Sequence, residues 1–345
     1  MKVLITGNMG YVGSELVKHL RLINKNIKLF GYDTGYFANN CINNDNLPEV
    51  NLDSQVYRDI RKVNKDFLKK IDIIVHLSAI SNDPMGKNFS KQTTSINLNS
   101  SINLAKDASS MGVKHFIFAS SCSMYGSGSD KPKKEIDELN PLTTYAKSKV
   151  EFEKFMFKSN LKNMKFTSLR FSTACGMSDR LRLDLVLNDF VASAIFKNKI
   201  EILSSGQSWR PLIDVSDMCR AIEWAIVRKN KTKKIAINVG QKENNYKIID
   251  LAIEVQKIFP KVKIRVNKKA PNDLRSYAVD FSLFKKLAPN HQPKMSIKKS
   301  ILSLKKGLEN YKLETSEFRE SNLMRLKSLE YLIRNNKIDK DLYWK

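Results

Sequence analysis

The sequence predicts an α/β protein built on a doubly wound parallel sheet. Three observations carry that reading. Short apolar runs alternate with segments of helical periodicity along the first half, the pattern of parallel strands joined by right-handed crossovers. The first run, Lys2 to Thr6, is followed by Gly7, Gly10 and Gly13 and by a helix-patterned stretch, Tyr11 to Leu22, with Val12, Leu16, Val17 and Leu20 on one face. An acid, Asp33, ends the second run twenty residues beyond Gly13.

Each element follows in order. Lys2 to Thr6 reads as a short buried strand. Strand, glycine turn and helix together make a phosphate cradle. Glycine lets the backbone approach a diphosphate, and the helix N-terminus offers free N–H groups and the positive end of a dipole. The spacing is Gly-x-x-Gly-x-x-Gly, where the commoner dinucleotide fingerprint has Gly-x-Gly-x-x-Gly. Any tight strand-to-helix turn uses one or two glycines, but three between a strand and a helix point to a dinucleotide. Asn26 to Tyr32 is a second strand leading to Asp33. A carboxylate there accepts hydrogen bonds from the adenosine ribose hydroxyls and repels a 2′-phosphate, so NAD is expected over NADP. The competing role is a loop cap, since Asp-Thr-Gly makes a good turn.

Gln55 to Arg58 is a brief third strand running into Asp59-Ile60-Arg61. Asp59 is placed either to accept from an adenine amino group or to start the next helix at the surface. Asp72 to Leu77 is a fourth strand, and the small residues of Ser78-Ala79-Ile80-Ser81 suit close passage of a cofactor. Ser95 to Met111 is helical, and Lys114 to Ser120 is a fifth strand that runs into Ser121-Cys-Ser-Met-Tyr-Gly126. After a polar loop, Tyr145 and Lys149 fall four apart on a helix that reaches about Lys158, so they share one face. A tyrosine of pKa about 10 is a poor base at neutral pH, but a neighbouring ammonium and a positive nicotinamide ring both favour the phenolate. Such a pair is also found as a packed ring beside a solvated charge. The serine-rich strand end and the glycine cradle favour the chemical role, and all these residues lie at the C-terminal strand ends, where such sheets bind ligands.

Taken together, Gly7-x-x-Gly10-x-x-Gly13, Asp33, Asp59-Ile60, Ser120-Ser-Cys-Ser-Met-Tyr-Gly126 and Tyr145-x-x-x-Lys149 resemble the extended short-chain dehydrogenase/reductases. Within them the chain is similar to the nucleotide-sugar epimerases and dehydratases typified by UDP-galactose 4-epimerase, over roughly residues 1 to 310. The resemblance implies a Rossmann domain over residues 1–170, a smaller mixed α/β substrate-binding lobe over 171–312, partly interleaved with it, and a helical tail over 313–345. It implies NAD bound by Gly7, Gly10, Tyr11, Val12, Gly13, Asp33, Asp59, Ile60, Leu77, Ala79, Asn97, Tyr145 and Lys149. In that family Tyr145 is the acid/base, Lys149 binds the nicotinamide ribose and tunes the tyrosine, and Ser121 hydrogen-bonds the reacting sugar oxygen. Ser123 either assists or caps the strand end.

The second half resembles the same plan. Lys165 to Arg170 is a sixth strand, followed by a loop in which Thr173 stands where the family often has Asn. Arg180 to Phe190 is expected to open a helix, and Ile200 to Leu203 to form a strand. Gly206 to Asp217 resembles the family segment Gly-x-x-x-Arg-Asp-x-x-x-Val-x-Asp, with Arg210 matching its pyrophosphate-binding arginine and Pro211 in place of Asp. Ala270-Pro-Asn-Asp-Leu-Arg275 resembles Arg-Pro-Gly-Asp, with Arg275 either supplying the missing charge or making a surface salt bridge. The implied substrate is a nucleoside-diphosphate sugar, contacted by Ser123, Thr173, Arg210 and Arg275. From about Glu314 the tail reads as a basic amphipathic helix with Leu323, Leu326, Leu329 and Leu332 at helical spacing. That stripe packs on its own domain or, on a sharper reading, on a second copy, and a homodimer is expected.

The reaction is argued from what is missing. The family's 4,6-dehydratases place an Asp-Glu pair directly after the catalytic Ser/Thr; here Cys122-Ser123 stand there, which disfavours dehydration. A 4-epimerase needs only Ser121, Tyr145, Lys149 and bound NAD. A 4-keto-sugar reductase uses the same residues with an exchanging reduced cofactor and ranks second. A dinucleotide sensor and an RNA-binding derivative rank below both.

Composition sets the outer bounds. With 345 residues, 42% hydrophobic and 28% charged, the chain is of soluble globular type. No apolar run reaches the ~18 residues of a membrane span, and the apolar start is too short for a signal-peptide core. Cys41, Cys122, Cys175 and Cys219 show no zinc or disulfide spacing, so no metal is expected and a reducing cytoplasm is. The net charge of +25 suits either a nucleic-acid surface or a lysine-rich composition spread over helix surfaces. Scattered lysines such as Lys62, Lys65, Lys69 and Lys70 favour the second, so neither nucleic acid nor membrane is expected as a partner.

Overall fold

Strand β1 (Lys2–Thr6) lies between β2 (Lys28–Asp33) and β4 (Ile73–His76), and that junction organises the molecule. The computed structural model describes residues 1–345 except 43–45, 82, 128–130, 230–231, 268–274, 310, 312 and 314–316, and gives no side-chain surroundings for 83 and 84. The remaining strands are β3 (Ser54–Tyr57), β5 (His115–Ser121), β6 (Lys165–Phe171), β7 (Thr173–Cys175), β8 (Lys199–Ile202), β9 (Trp209–Asp214), β10 (Lys234–Val239), β11 (Asn245–Lys247) and β12 (Lys263–Val266). A seven-stranded sheet has the order β10-β6-β5-β4-β1-β2-β3, parallel throughout. Its order reverses at β1, with β2 on one side and β4 on the other. The crevice of a doubly wound sheet opens there, beyond the C-terminal strand ends.

Both faces of this sheet are covered, which is why its central strands read as continuous apolar runs. Val3 and Ile5 pack on one face with Leu16, Val17 and Leu20 of helix Tyr11–Ile23 and with Trp224 and Ile222 of helix Val215–Val227. Leu4, between them in sequence, points to the other face and joins Ile74, Phe116, Phe118 and Phe152. β10 and helix Val215–Val227 therefore complete the first unit from beyond residue 171, while β7, β8 and β9 before that helix and β11 and β12 after β10 build the second lobe. That lobe holds the small sheet β11-β9-β7 and the parallel pair β8–β12, packed with helices Val186–Lys197, Ile248–Ile258 and Ile297–Glu309.

Three elements differ from the sequence expectation. The helix expected from Arg180 starts at Val186, because Arg180, Leu181, Arg182 and Leu183 are all buried in a segment whose Leu183 N–H bonds the Leu323 carbonyl at 3.0 Å. The helix expected over 95–111 begins at Ser90 and passes through a wider π turn at Thr94–Asn99 before continuing as Ser100–Ser110. Among the described residues of the tail, the α-helix runs over Arg325–Arg334, after a short 3-10 turn at Phe318–Glu320. Its leucines divide: Leu323 joins the second lobe, whereas Leu329 and Leu332 are buried in the core of the first, together with Ile338 and Leu342. No helix among the described residues is long and apolar enough to cross a membrane.

Candidate functional site

A cavity of about 1170 Å³ lies at the C-terminal strand ends. It exceeds the roughly 300–1,000 Å³ of a usual small-molecule pocket, so it has room for a dinucleotide and a second ligand. Its lining contains each expected site residue except Asn97.

At the glycine turn the requirement for glycine is steric. A Cβ on Gly13 would stand 2.4 Å from the Gly7 carbonyl oxygen and 2.5 Å from the Asn8 Cα. A Cβ on Gly7, which has φ +76°, would stand 2.7 Å from the Ser78 nitrogen. These are backbone atoms that cannot swing aside, so the turn stays narrow and open to a diphosphate. Tyr11 and Val12 follow at the helix N-terminus and line the cavity; the Tyr11 hydroxyl is held by the Gly176 carbonyl at 2.7 Å. The cradle fits the dinucleotide that its spacing implies.

Asp33 ends β2 beside that turn. Its carboxylate accepts from the Met9 N–H at 3.1 Å and the Gly35 N–H at 2.8 Å. Burial raises its pKa, against the pull of these two donors. A carboxylate has about four acceptor directions, so capacity remains for ribose hydroxyls. Asp59 and Ile60 line the same end, but the Asp59 carboxylate is already gripped by the Arg61 guanidinium at 2.9 and 2.6 Å and by the Arg61 N–H at 2.8 Å. Leu77 and Ala79 line the cavity beyond β4. Asn97 does not: its amide accepts from the Ile80 N–H at 2.8 Å and donates to the Ile80 carbonyl at 2.9 Å, which fastens the loop after β4.

The chemical end is built by β5 and the helix Thr144–Lys158. Thr143 caps that helix by accepting from the Ala146 N–H at 3.1 Å, which sets Tyr145 in the first turn with Lys149 one turn on. The Lys149 ammonium donates to the Ala119 carbonyl at 2.7 Å and lies 5.5 Å from the centre of the Tyr145 ring. Burial lowers the Lys149 pKa to about 7. Ser121, Ser123 and Tyr145 line the cavity together. Ser121 caps the turn after β5 by accepting from the Ser123 N–H at 3.1 Å, and the Ser123 hydroxyl is buried without a hydrogen-bond partner among the described residues. Cys122 turns inward: its thiol donates to the Arg170 carbonyl at 3.1 Å, and burial pushes its pKa well up.

At the far end Thr173, Arg210, Arg275 and Tyr277 line the cavity. The Arg210 guanidinium lies 5.7 Å from the Tyr277 ring centre and donates to the Trp209 carbonyl at 2.8 Å and to the Arg275 carbonyl. The stretch 270–274 before Arg275 lies outside the described residues.

Sequence reasoning missed a further set of arginines. Arg182 lines the cavity, donates to Ser81 at 2.9 Å and is paired in both directions with Asp184, at 2.8 and 3.1 Å. Arg319 and Arg325 line it from the tail. The only signal in the sequence was the buried-looking Arg180-Leu-Arg-Leu-Asp run, whose alternation suits an extended segment as well as a helix. No group of three or more His, Cys, Asp or Glu that could hold a metal occurs among the described residues.

Residues 3–240 match the model of the NAD dependent epimerase/dehydratase family. The chain is 26% identical over 278 residues to the UDP-glucose 4-epimerase of Lactobacillus helveticus, covering 74% of this chain and 82% of that protein. Its fold is similar to the UDP-glucuronic acid 4-epimerase of Bacillus cereus in complex with UDP-glucuronic acid and NAD (TM-score 0.76, 23% identity, 90% of this chain and 99% of that one). It is also similar to TunA, an NAD-dependent NDP-hexosamine 5,6-dehydratase of tunicamycin biosynthesis (TM-score 0.78, 18% identity, 91% of this chain and 99% of that one). The match over most of the chain, with the glycine cradle and Asp33 in the geometry that a dinucleotide needs, means that the chain belongs to the NAD-dependent epimerase/dehydratase family, with NAD as its cofactor.

Proposed function

We propose that the chain is a nucleotide-sugar 4-epimerase working through a transient 4-keto sugar. One observation carries the reading. Ser121, Tyr145 and Lys149 line one cavity, while the two positions after Ser121 hold an inward-turned thiol and a serine. No carboxylate follows the serine to drive loss of water. The 4-epimerase names of the relatives support the reaction type, and the dehydratase among the similar folds keeps the support at the level of the class.

Bound NAD would supply the reversible acceptor for the hydrogen at C4. The Tyr145 phenolate takes the proton of the C4 hydroxyl, and the Lys149 charge beside the ring favours that phenolate. The Ser121 hydroxyl donates to the same sugar oxygen and fixes its distance from Tyr145. Arg210 and Arg275 hold the substrate diphosphate at the other end, a task suited to planar donor forks. After the 4-keto sugar presents its opposite face, Tyr145 returns the proton and the inverted alcohol leaves.

The test is a nucleotide sugar carrying deuterium at C4, incubated without added cofactor. A 4-epimer that keeps its label supports the proposal. A 4-keto sugar that drives stoichiometric loss of the reduced-nicotinamide absorbance, with no 4-epimer from any common nucleotide sugar, transfers the assignment to a 4-keto-reductase.

A further inference from the structure

Arg325 is a buried cation with a donor to spare. It opens the helix Arg325–Arg334 and is 2% exposed, yet it lines the cavity. Its Nη2 donates to the Arg180 carbonyl at 2.8 Å, and its guanidinium lies 4.3 Å from the centre of the Phe37 ring. Its Nη1 is buried without a hydrogen-bond partner among the described residues. The neighbouring arginines differ in this respect. Arg180 is paired with Glu49 at 2.7 Å, Arg182 with Asp184 at 2.8 Å and Arg319 with Asp189 at 2.7 Å. A buried guanidinium with no carboxylate of its own is costly to keep unless an anion completes it. Burial, with Arg182 and Arg180 nearby, lowers its pKa to about 9, against the opposing pull of Asp184 and Asp33.

The position indicates which anion. Arg325 packs on Phe37 and feels Asp33, both in the stretch that begins at the end of β2. Arg182, beside it, is felt by Tyr11 at the glycine turn. Arg182 also reaches Ser81 and feels Tyr145, whereas Arg325 is joined through Arg180 to Ser14 in the first turn of the helix after the glycines, and so borders the cavity between the Asp33 end and the glycine turn, where a dinucleotide carries its diphosphate. Arg210, by contrast, lies against Tyr277 and donates to the Arg275 carbonyl.

The tail that carries Arg325 is fastened to the same stretch. The Tyr36 hydroxyl donates to the Leu342 carbonyl, and the Trp344 indole N–H donates to the Thr34 carbonyl at 2.6 Å. Arg61 donates to the Asp341 carbonyl at 2.8 Å and stacks on Tyr343 at 3.6 Å. Asn40 reaches the Asn322 carbonyl at 2.6 Å.

We propose that Arg325 is a ligand for the cofactor diphosphate, so that the C-terminal segment from residue 317 is part of the NAD site. The inference rests on NAD as cofactor and is independent of which sugar is turned over. The full-length protein is stripped of cofactor, and Arg325→Met and Arg325→Lys are compared with it by calorimetric titration and thermal melting. Arg325→Met should weaken NAD and ADP by about 10-fold or more, the value of a charged hydrogen bond, and leave adenosine within about 2-fold. Arg325→Lys should recover part of the loss. Without cofactor, Arg325→Met should melt no lower than the parent, since it removes an unpaired buried charge, while its NAD-induced rise in Tm shrinks. Equal weakening of adenosine and NAD, or a lower cofactor-free Tm or failure to fold, means that Arg325 merely props the site. A loss confined to NADP or to UDP assigns it to a 2′-phosphate or to the substrate. Unchanged NAD affinity overturns the proposal outright.

Discussion

The Lys149 ammonium lies 5.5 Å from the centre of the Tyr145 ring while donating to the Ala119 carbonyl at 2.7 Å. One carbonyl is thin compensation for a buried cation, and burial brings its pKa down to about 7 from the ordinary 10.5. The sign of the consequence follows from proton linkage. Below pH 7 the lysine is charged in both states, and the native state bears the full cost of burying it. Between about 7 and 10.5 the unfolded chain binds more protons, so native stability should rise with pH. The slope should reach at most about 1.4 kcal/mol per pH unit. Urea unfolding of cofactor-free protein across that range measures it, and Lys149→Met should remove this component. Parallel stability curves for the two proteins would show that burial leaves the Lys149 charge undisturbed.

Tyr145→Phe isolates the proton transfer from the packing. The ring stays beside Lys149, and neither the Ala119 bond nor the Thr143 cap involves the lost hydroxyl. NAD content after denaturing extraction should match the parent. Turnover should fall by roughly 10²–10⁴, the usual worth of general acid–base catalysis. A variant with near-parental turnover takes Tyr145 out of the mechanism.

Asp33 should set the choice of dinucleotide. Met9 and Gly35 hold its carboxylate in place while leaving acceptor directions for the two ribose hydroxyls. A 2′-phosphate would stand against that carboxylate as a like charge. NAD should therefore bind at least about 10-fold more tightly than NADP in calorimetry, and Asp33→Asn should narrow the gap. Equal affinities in the parent protein would sink the claim.

The cofactor half of this site is legible in the sequence because its logic is local. The backbone of Gly7 and Asn8 leaves no room for a Cβ on Gly13, Asp33 follows one strand later, and Tyr145 and Lys149 are one helical turn apart. The arginines are a different matter. Arg182 meets Ser81, 101 residues away, and Arg325 meets the Arg180 carbonyl, 145 residues away. No periodicity reports such contacts. The leucine stripe of the tail shows an apolar face, but not that its helix starts at Arg325 with that side chain turned into the cavity. Asn97 is another contact that no periodicity reports: both ends of its amide are bonded to the backbone of Ile80, 17 residues away.

Arg210 is the clearest test of the substrate end. Its guanidinium is held over Tyr277 and tied to the Trp209 and Arg275 carbonyls, which fixes the direction of a planar donor fork and leaves it lining the cavity. If that fork grips the nucleotide-sugar diphosphate, Arg210→Ala should raise KM for the nucleotide sugar by about 10–100-fold, the worth of a charge-assisted bidentate contact. NAD affinity should stay within about 2-fold, because the residues expected to hold the cofactor lie elsewhere in the cavity. Arg210→Lys should restore little, since a single ammonium cannot reproduce two parallel N–H donors. Initial rates across substrate concentration, together with a thermal melt and a calorimetric titration of NAD, separate the possibilities. A large fall in Tm with parallel loss of NAD would mean that Arg210 chiefly ties β9 to the segment at Arg275. A kcat loss at unchanged KM would put its charge at the reacting centre instead of the diphosphate.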